Sequence, residues 1–330
     1  MSHPELHILD VGHGNSAVLV DGESVVVFDA GTRTALLEFL DAEGITSIDT
    51  VLISHADKDH IEGLISLIES GTVQIGRVRL NSDVVKKTDL WHSLAYLLEH
   101  KDSAGELDFD VALTTKQSGE FDTANVRIEV LAPSLGMAAT GPGSKRKDKR
   151  MLTSNSISAV FRLFSFGVPK VLLLGDITLD AYSSLLKTTP QPNADVLVYP
   201  HHGGQSESDD PVAFARLLCE TVAPGTVVFS IGRGRFETPI DNITKTIRKL
   251  VPKVRLSCTQ LSEHCANQIP AAEPLHLTTK FAAGRARRCC CAGTVTISLK
   301  NHPTELLPVV DAHDTFILSH APTALCKSRI

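Results

Sequence analysis

The chain has 330 residues, of which 42% are hydrophobic and 21% charged, a composition that buries a sizeable core and excludes both a small stapled scaffold and a disordered or fibrous chain. Its 32 Lys and Arg against 38 Asp and Glu leave a net charge of −6. A general basic coat for nucleic acid is therefore excluded, and any polyanion must be held locally or through metal. No apolar run reaches the ~18 residues of a membrane span, because Arg162, Lys170 and Asp176 interrupt the most hydrophobic stretch. Glu5 and Asp10 stand where a signal peptide would carry a basic flank and an apolar region, so a cytoplasmic protein that does not bind membrane is expected. Seven cysteines, an odd count gathered toward the C-terminus, argue against a disulfide framework.

In chain order, Leu6–Val11, Ser16–Val20 and Ser24–Asp29 read as strands, separated by the turn chemistry of Gly12-His13-Gly14-Asn15 and Asp21-Gly22. Thr34–Glu43 has helical spacing at Leu36, Leu37 and Leu40, stopped by Gly44, and Ile48–Ser54 is a β-branched run. Ile61–Ser70 reads as a helix, Ile75–Asn81 as a strand, Trp91–His100 as a helix and Val126–Leu131 as a strand. Beyond a Gly/Pro/Ser loop, Ser158–Phe164 and Lys170–Leu174 form a hairpin pair. Leu179–Leu186 follows as a helix, Val196–Tyr199 as a strand, Pro211–Glu220 as a helix and Thr226–Ile231 as a strand. Residues 1–255 thus read as two halves that each pass from strands into strand–loop–helix units, which fits two βα-type halves meeting at a common site. From 256 the character changes, and 256–330 is expected to be an appended Cys-containing segment whose one clear strand is Thr294–Leu299.

The most informative stretch is Ser54-His55-Ala56-Asp57-Lys58-Asp59-His60, which sets two imidazoles and two carboxylates at the end of an apolar strand. A solvated loop seldom concentrates these groups, and the His/Asp mixture suits borderline divalent cations such as Zn²⁺ or Mn²⁺. Downstream, Asp176 ends the apolar run Leu172-Leu173-Leu174-Gly175. The pair His201-His202 ends Val196-Leu197-Val198-Tyr199-Pro200.

Together these motifs resemble the metallo-β-lactamase superfamily and, within it, the hydrolase domain of the ComEC competence family. That group carries Asp where the superfamily usually has a second loop His, as Asp57 does here. It also carries an Asp-Val-Gly-Gln-Gly-Asp-like opening (here Asp10-Val11-Gly12-His13-Gly14-Asn15), an Asn…Ser segment (Asn155 and Ser158) and Pro-His-His-Gly (Pro200-His201-His202-Gly203). The resemblance implies an αββα four-layer sandwich holding one or two divalent ions, zinc or manganese. One ion would be bound by Asp59, His60 and His202 or His201, the other by His55 and Asp57, with Asp176 bridging, and a shared metal-bound hydroxide would attack the substrate. Asp59 would then be both a ligand and the catalytic group that positions this nucleophile. Asn155 stands where the wider superfamily has a His ligand. Asn155, Ser158, Asp10, His13 and Asn15 are expected as first-site ligands or as groups hydrogen-bonded behind them.

One fold in this superfamily serves lactams, thioesters and phosphodiesters, so substrate must be argued from the site. The ComEC-type resemblance implies a phosphodiesterase or nuclease. Lys145, Arg146, Lys147, Lys149 and Arg150 precede Asn155 and form either a phosphate clamp or a solvated loop. A small-molecule metallohydrolase acting on a cyclic nucleotide, a thioester or a lactam-like ester is the second reading. A regulatory module that keeps the site but works through partner binding is the third. Cys258, Cys265, Cys289 and Cys291 are either a structural zinc site or ordinary buried thiols.

Overall fold

Side chains at successive strand positions point to opposite faces, and this period fills two interfaces from one strand. Along Ser24–Ala30, Val25 and Val27 join one hydrophobic cluster while Val26 and Phe28 join another. Val171 and Leu173 separate from Leu172 and Leu174 in the same way. The structure, a computed structural model, describes residues 3–146, 149–206, 210–272, 274–300, 304–321 and 323–326.

The strands are β1 (Glu5–Ile8), β2 (Ser16–Asp21), β3 (Ser24–Ala30), β4 (Ser47–Leu52), β5 (Gln74–Arg79), β6 (Asp108–Asp110), β7 (Val126–Ala132), β8 (Val160–Ser165), β9 (Val168–Leu173), β10 (Val196–Val198), β11 (Thr226–Phe229), β12 (Arg255–Cys258), β13 (Val295–Ser298) and β14 (Glu305–Leu307). The helices are α1 (Ala35–Ala42), α2 (Lys58–Ser70), α3 (Asp89–Ser103), α4 (Leu135–Thr140), α5 (Leu179–Leu185), α6 (Pro211–Val222), α7 (Asp241–Leu250) and α8 (Val310–His320). None is long and apolar enough to cross a membrane, among the described residues.

Two sheets result, an eight-stranded one in the order β14, β13, β1, β2, β3, β4, β5, β6 and a six-stranded one in the order β12, β11, β10, β9, β8, β7. Leu36, Phe39, Ile61, Leu64, Leu94 and Leu98 bring α1, α2 and α3 onto the outer face of the first sheet. Tyr182, Phe214, Ile243 and Phe316 bring α5, α6, α7 and α8 onto the outer face of the second. The αββα sandwich is thus present, with the inter-sheet core between. β3 to β6 run parallel to one another, as do β9 to β12. In such sheets the carboxyl ends of the strands share one edge, where loops can converge.

The boundary expected at 256 does not describe this fold. β12 is the edge strand of the second sheet beside β11, and β13 pairs antiparallel with β1, setting Leu6 opposite Ile297. Without β13, β1 would present a row of unpaired backbone groups beside a hydrophobic core. The C-terminal residues therefore complete both sheets. Ile297 is fully buried in the inter-sheet core, so Ile297→Ala is expected to lower the unfolding free energy by about 2–5 kcal/mol. The check is the denaturant midpoint of the full chain; an unchanged midpoint is what a mere appendage would give.

Candidate active site

Five loops converge because five strand ends do. β1 leads to Asp10–Asn15, β3 carries Asp29 next to its last residue, β4 leads to the 54–60 loop, β9 to Gly175-Asp176 and β10 to His201-His202. Asp57 occupies the extended N-cap position of α2 and Gly71 the left-handed C-cap, so Asp59 and His60 fall in the first helical turn. A Cβ on Gly175 would lie 2.4 Å from Ser158 Oγ; only glycine lets the end of β9 press against Ser54 and Ser158. His201 and His202 both adopt left-handed backbone, φ 52° and 55°, a costly conformation for two successive non-glycine residues. It is held where His201 N–H donates to Asp176 Oδ1 at 3.1 Å.

Two triads of ligand-type atoms result, His55/His60/Asp176 and His13/Asp59/His202. In the first, His60 Nε2 lies 3.5 Å from Asp176 Oδ2. In the second, Asp59 Oδ2 lies 3.3 Å from His13 Nε2 and 3.2 Å from His202 Nε2. His202 Nε2 is also 3.8 Å from Asp176 Oδ2, so the triads adjoin.

The buried rings are fixed from behind. His60 Nδ1 donates to Asp29 Oδ2 at 2.8 Å, and His202 Nδ1 donates to the Ser230 carbonyl at 2.8 Å. Ser54 Oγ donates to Asp29 Oδ2 at 2.9 Å, which leaves its lone pairs to accept from His55 Nδ1 at 3.0 Å. Each ring therefore presents Nε2 inward, and the Nε2 atoms of His55, His60 and His202 are buried with no hydrogen-bond partner. Orphaned buried nitrogens are costly in a site that stays apo. Ligands held tetrahedrally at ~2.0–2.2 Å from one ion lie about 3.4 Å apart, close to the separations of His13 and His202 from Asp59 and of His60 from Asp176. The donor set therefore fits divalent metal.

Burial disfavours charge on every one of these groups. It holds His55 down at about 4, helped by the neighbouring His60, and it lowers His13 against the pull of Asp59. For His60, burial is outweighed by Asp29 and Asp176, and for His202 by Asp176 and Asp59, so both rings titrate above the ordinary value. Asp59 and Asp176 stay well below the usual carboxylate range despite burial, the first through the His13 and His202 imidazoles beside it, the second through His60, His201 and His202.

The remaining expected residues have other partners. Asp57 is ion-paired with Lys86 and stands 3.8 Å from His55 Nε2, outside both triads. His201 Nδ1 approaches Asp176 Oδ2 at 3.5 Å, and its Nε2 is buried without a partner. Ser158 Oγ accepts from Asp176 N–H at 3.0 Å. Asn155 opens a short 3₁₀ turn with its Oδ1 buried and unpartnered. Asn15 N–H donates to the Asp59 carbonyl at 3.1 Å. Asp10 accepts from Gly12 and Gly284 N–H and from Gln260 Nε2, and burial raises its carboxyl.

In the basic loop, Arg146 donates to Ser184 and Arg150 pairs with Asp180, both on α5, while Lys145 and Lys149 are exposed; Lys147 lies outside the described residues. The four cysteines do not form a ligand cluster among the described residues. Cys289 Sγ contacts Gln260 Oε1 at 3.3 Å, Cys291 Sγ lies 3.2 Å from His313 Nε2, and Cys265 Sγ accepts from Leu325 N–H. Burial raises all four thiols, Cys258 included. Sequence reasoning overlooked Asp29, whose signal was a carboxylate ending the strand Val25-Val26-Val27-Phe28.

A profile of the metallo-beta-lactamase superfamily matches residues 9–226. The chain belongs to this superfamily. ComE operon protein 3 of Bacillus subtilis (strain 168) is 24% identical over 275 residues, which cover 75% of this chain and 31% of that protein. Competence protein ComA of Neisseria gonorrhoeae is 21% identical over 247 residues, covering 73% and 29%. The chain thus spans under a third of the length of these curated relatives, and the similarity to both supports the ComEC-type assignment. Among solved structures, Tm1679, a metal-dependent hydrolase of the beta-lactamase superfamily, matches with a TM-score of 0.50 at 16% identity, covering 78% of this chain and 96% of that one. That likeness is one of fold.

For this superfamily member two outcomes follow from the site. Asp29→Asn weakens the carboxylate that aims both His55 and His60, and is expected to lower metal affinity about 10–100-fold with circular dichroism unchanged; calorimetry on the metal-stripped protein checks it, and wild-type affinity would contradict it. His60 and His202, raised in the fold, carry protons at and above pH 6.5, and metal uptake must release them. Apparent affinity is therefore expected to climb as pH rises from 6.5 through their raised values, with protons released. Titrations in two buffers of different ionisation enthalpy read that release, and uptake with none would contradict the assignment.

Proposed function

We propose that this metallohydrolase cleaves phosphodiesters, with nucleic acid as its substrate class. The observation that carries the reading is the mouth of the site. A cleft of about 440 Å³ is lined by His13, Asp59, Asp176, His202 and Phe236. Phe236 is 54% exposed at its rim, its ring 4.5 Å from His13 and 5.6 Å from the Arg235 guanidinium. An exposed aromatic face beside a cation suits a stacked base followed by a phosphate. Lys145 and Lys149 add exposed charge on the loop that packs against α5, the helix that follows Asp176.

His55, His60 and Asp176 would hold one cation and Asp59 and His202 another, zinc or manganese by the imidazole–carboxylate donor set. Bound there, such ions supply Lewis acidity, which activates water at neutral pH and offsets the charge that builds on the phosphoryl oxygens. Asp59 faces the cleft as a carboxylate and aligns the attacking water by accepting its hydrogen bond. Asp29 and the Ser230 carbonyl keep the rings in the tautomer that leaves Nε2 free, and the His201 backbone N–H holds Asp176 in place.

The test compares wild type and Arg235→Ser on single-stranded DNA or RNA and on bis(4-nitrophenyl) phosphate, with Zn²⁺ or Mn²⁺ added. Wild type is expected to hydrolyse both. Arg235→Ser should raise KM for the polymer and reduce the slope of log KM against log salt by about 0.7, with the small ester nearly unaffected. Equal losses on both substrates favour a small-molecule hydrolase, and no metal-dependent hydrolysis of either overturns the reading.

A further inference from the structure

We infer that His13 is a metal ligand, completing with Asp59 and His202 a second centre beside His55/His60/Asp176; the inference rests on the metallohydrolase reading above. His13 lies in the turn Gly12-His13-Gly14-Asn15 that follows β1. His13 Nε2 and His202 Nε2 flank Asp59 Oδ2 at 3.3 and 3.2 Å, and the three ligand atoms all lie within 4.8 Å of one another. The two rings are in contact, tilted by 51° with centroids 4.4 Å apart.

The backbone leaves the ring little choice of place. Gly12 and Gly14 have φ +80° and +142°, and a Cβ on Gly14 would lie 2.5 Å from the Asp59 carbonyl. From the other side, a Cβ on Gly232 would lie 2.2 Å from His13 N. Asp10 ties the turn down through Gly12 N–H at 3.1 Å. Three glycines and a buried carboxylate thus press the turn against the start of α2 and the loop after β11. Outside the carboxylate the ring has no polar support, for His13 Nδ1 is buried with no hydrogen-bond partner. A turn over-determined to this degree, aiming an imidazole at a carboxylate and a second imidazole whose own Nε2 is orphaned, has the form of a ligand set. A glutamine here would keep a hydrogen bond to Asp59 but bind metal poorly.

The experiment titrates Co²⁺ into the metal-stripped full chain and follows both calorimetry and the visible and near-ultraviolet spectrum. Wild type is expected to take up two equivalents. His13→Gln should retain one unchanged and bind the other at least about tenfold more weakly, with an altered visible band and an unchanged thermal melt. His13→Cys, which offers a shorter but ligating thiolate from the same turn, should recover part of the uptake and show a thiolate-to-cobalt charge-transfer band. His13→Gln binding both equivalents as wild type does, or His13→Cys lacking that band, overturns the inference and leaves the His55/His60/Asp176 centre standing. A wild type that takes up no cobalt instead overturns the metallohydrolase reading, and this inference with it.

Discussion

Asp29 sets the direction of two histidines. Its carboxylate accepts from His60 Nδ1 and from Ser54 Oγ, and through that hydroxyl it reaches His55. A second bond, from Ser54 N–H to Oδ1 at 2.7 Å, ties the start of the ligand loop to the end of β3. Because the outer nitrogens are committed in this way, the inner ones must face the cleft, where protein offers them no partner. The charge pattern follows from the same arrangement. Asp59 and Asp176 remain ionised in a buried place because His60 and His202 hold protons, and a metal-free centre of this kind is poised to exchange protons for cations.

The fold supplies the convergence that this carboxylate refines. Two parallel blocks, β3 to β6 and β9 to β12, put Asp29, the 54–60 loop, Asp176 and His202 at strand ends that share an edge. The strand interiors are Val and Leu sorted by a period of two into helix-facing and sheet-facing clusters. Stability thus comes from residues that never touch the site, which frees the loops to carry strained His201 and His202 and unsatisfied nitrogens.

Much of this was legible in the sequence where the signal was local. Alternating and helical spacing located β2, β3, α2, β9 and α6, and His55, Asp59, His60, Asp176 and His202 announced themselves as ligand types following apolar runs. What stayed hidden depends on contacts distant in sequence. Asp29 looks like any residue ending a strand until His60 is brought to it. The pairing of Asp57 with Lys86, from the segment after β5, has no local signal either. The role of β13 could not be read from its composition, because its partner β1 lies at the opposite end of the chain. The surroundings of the cysteines were hidden for a related reason, since side chains adjacent in sequence meet Gln260, Asp10 and His313 through separate tertiary contacts.

The central claim is that the converged loops form a metal centre, and anomalous diffraction from crystals of the full chain grown with Zn²⁺ or Mn²⁺ tests it most directly. The account predicts two anomalous peaks about 3.5–4 Å apart, one among His55, His60 and Asp176 and the other among His13, Asp59 and His202. A cleft without a peak at saturating metal, or peaks only at surface carboxylates, would contradict it.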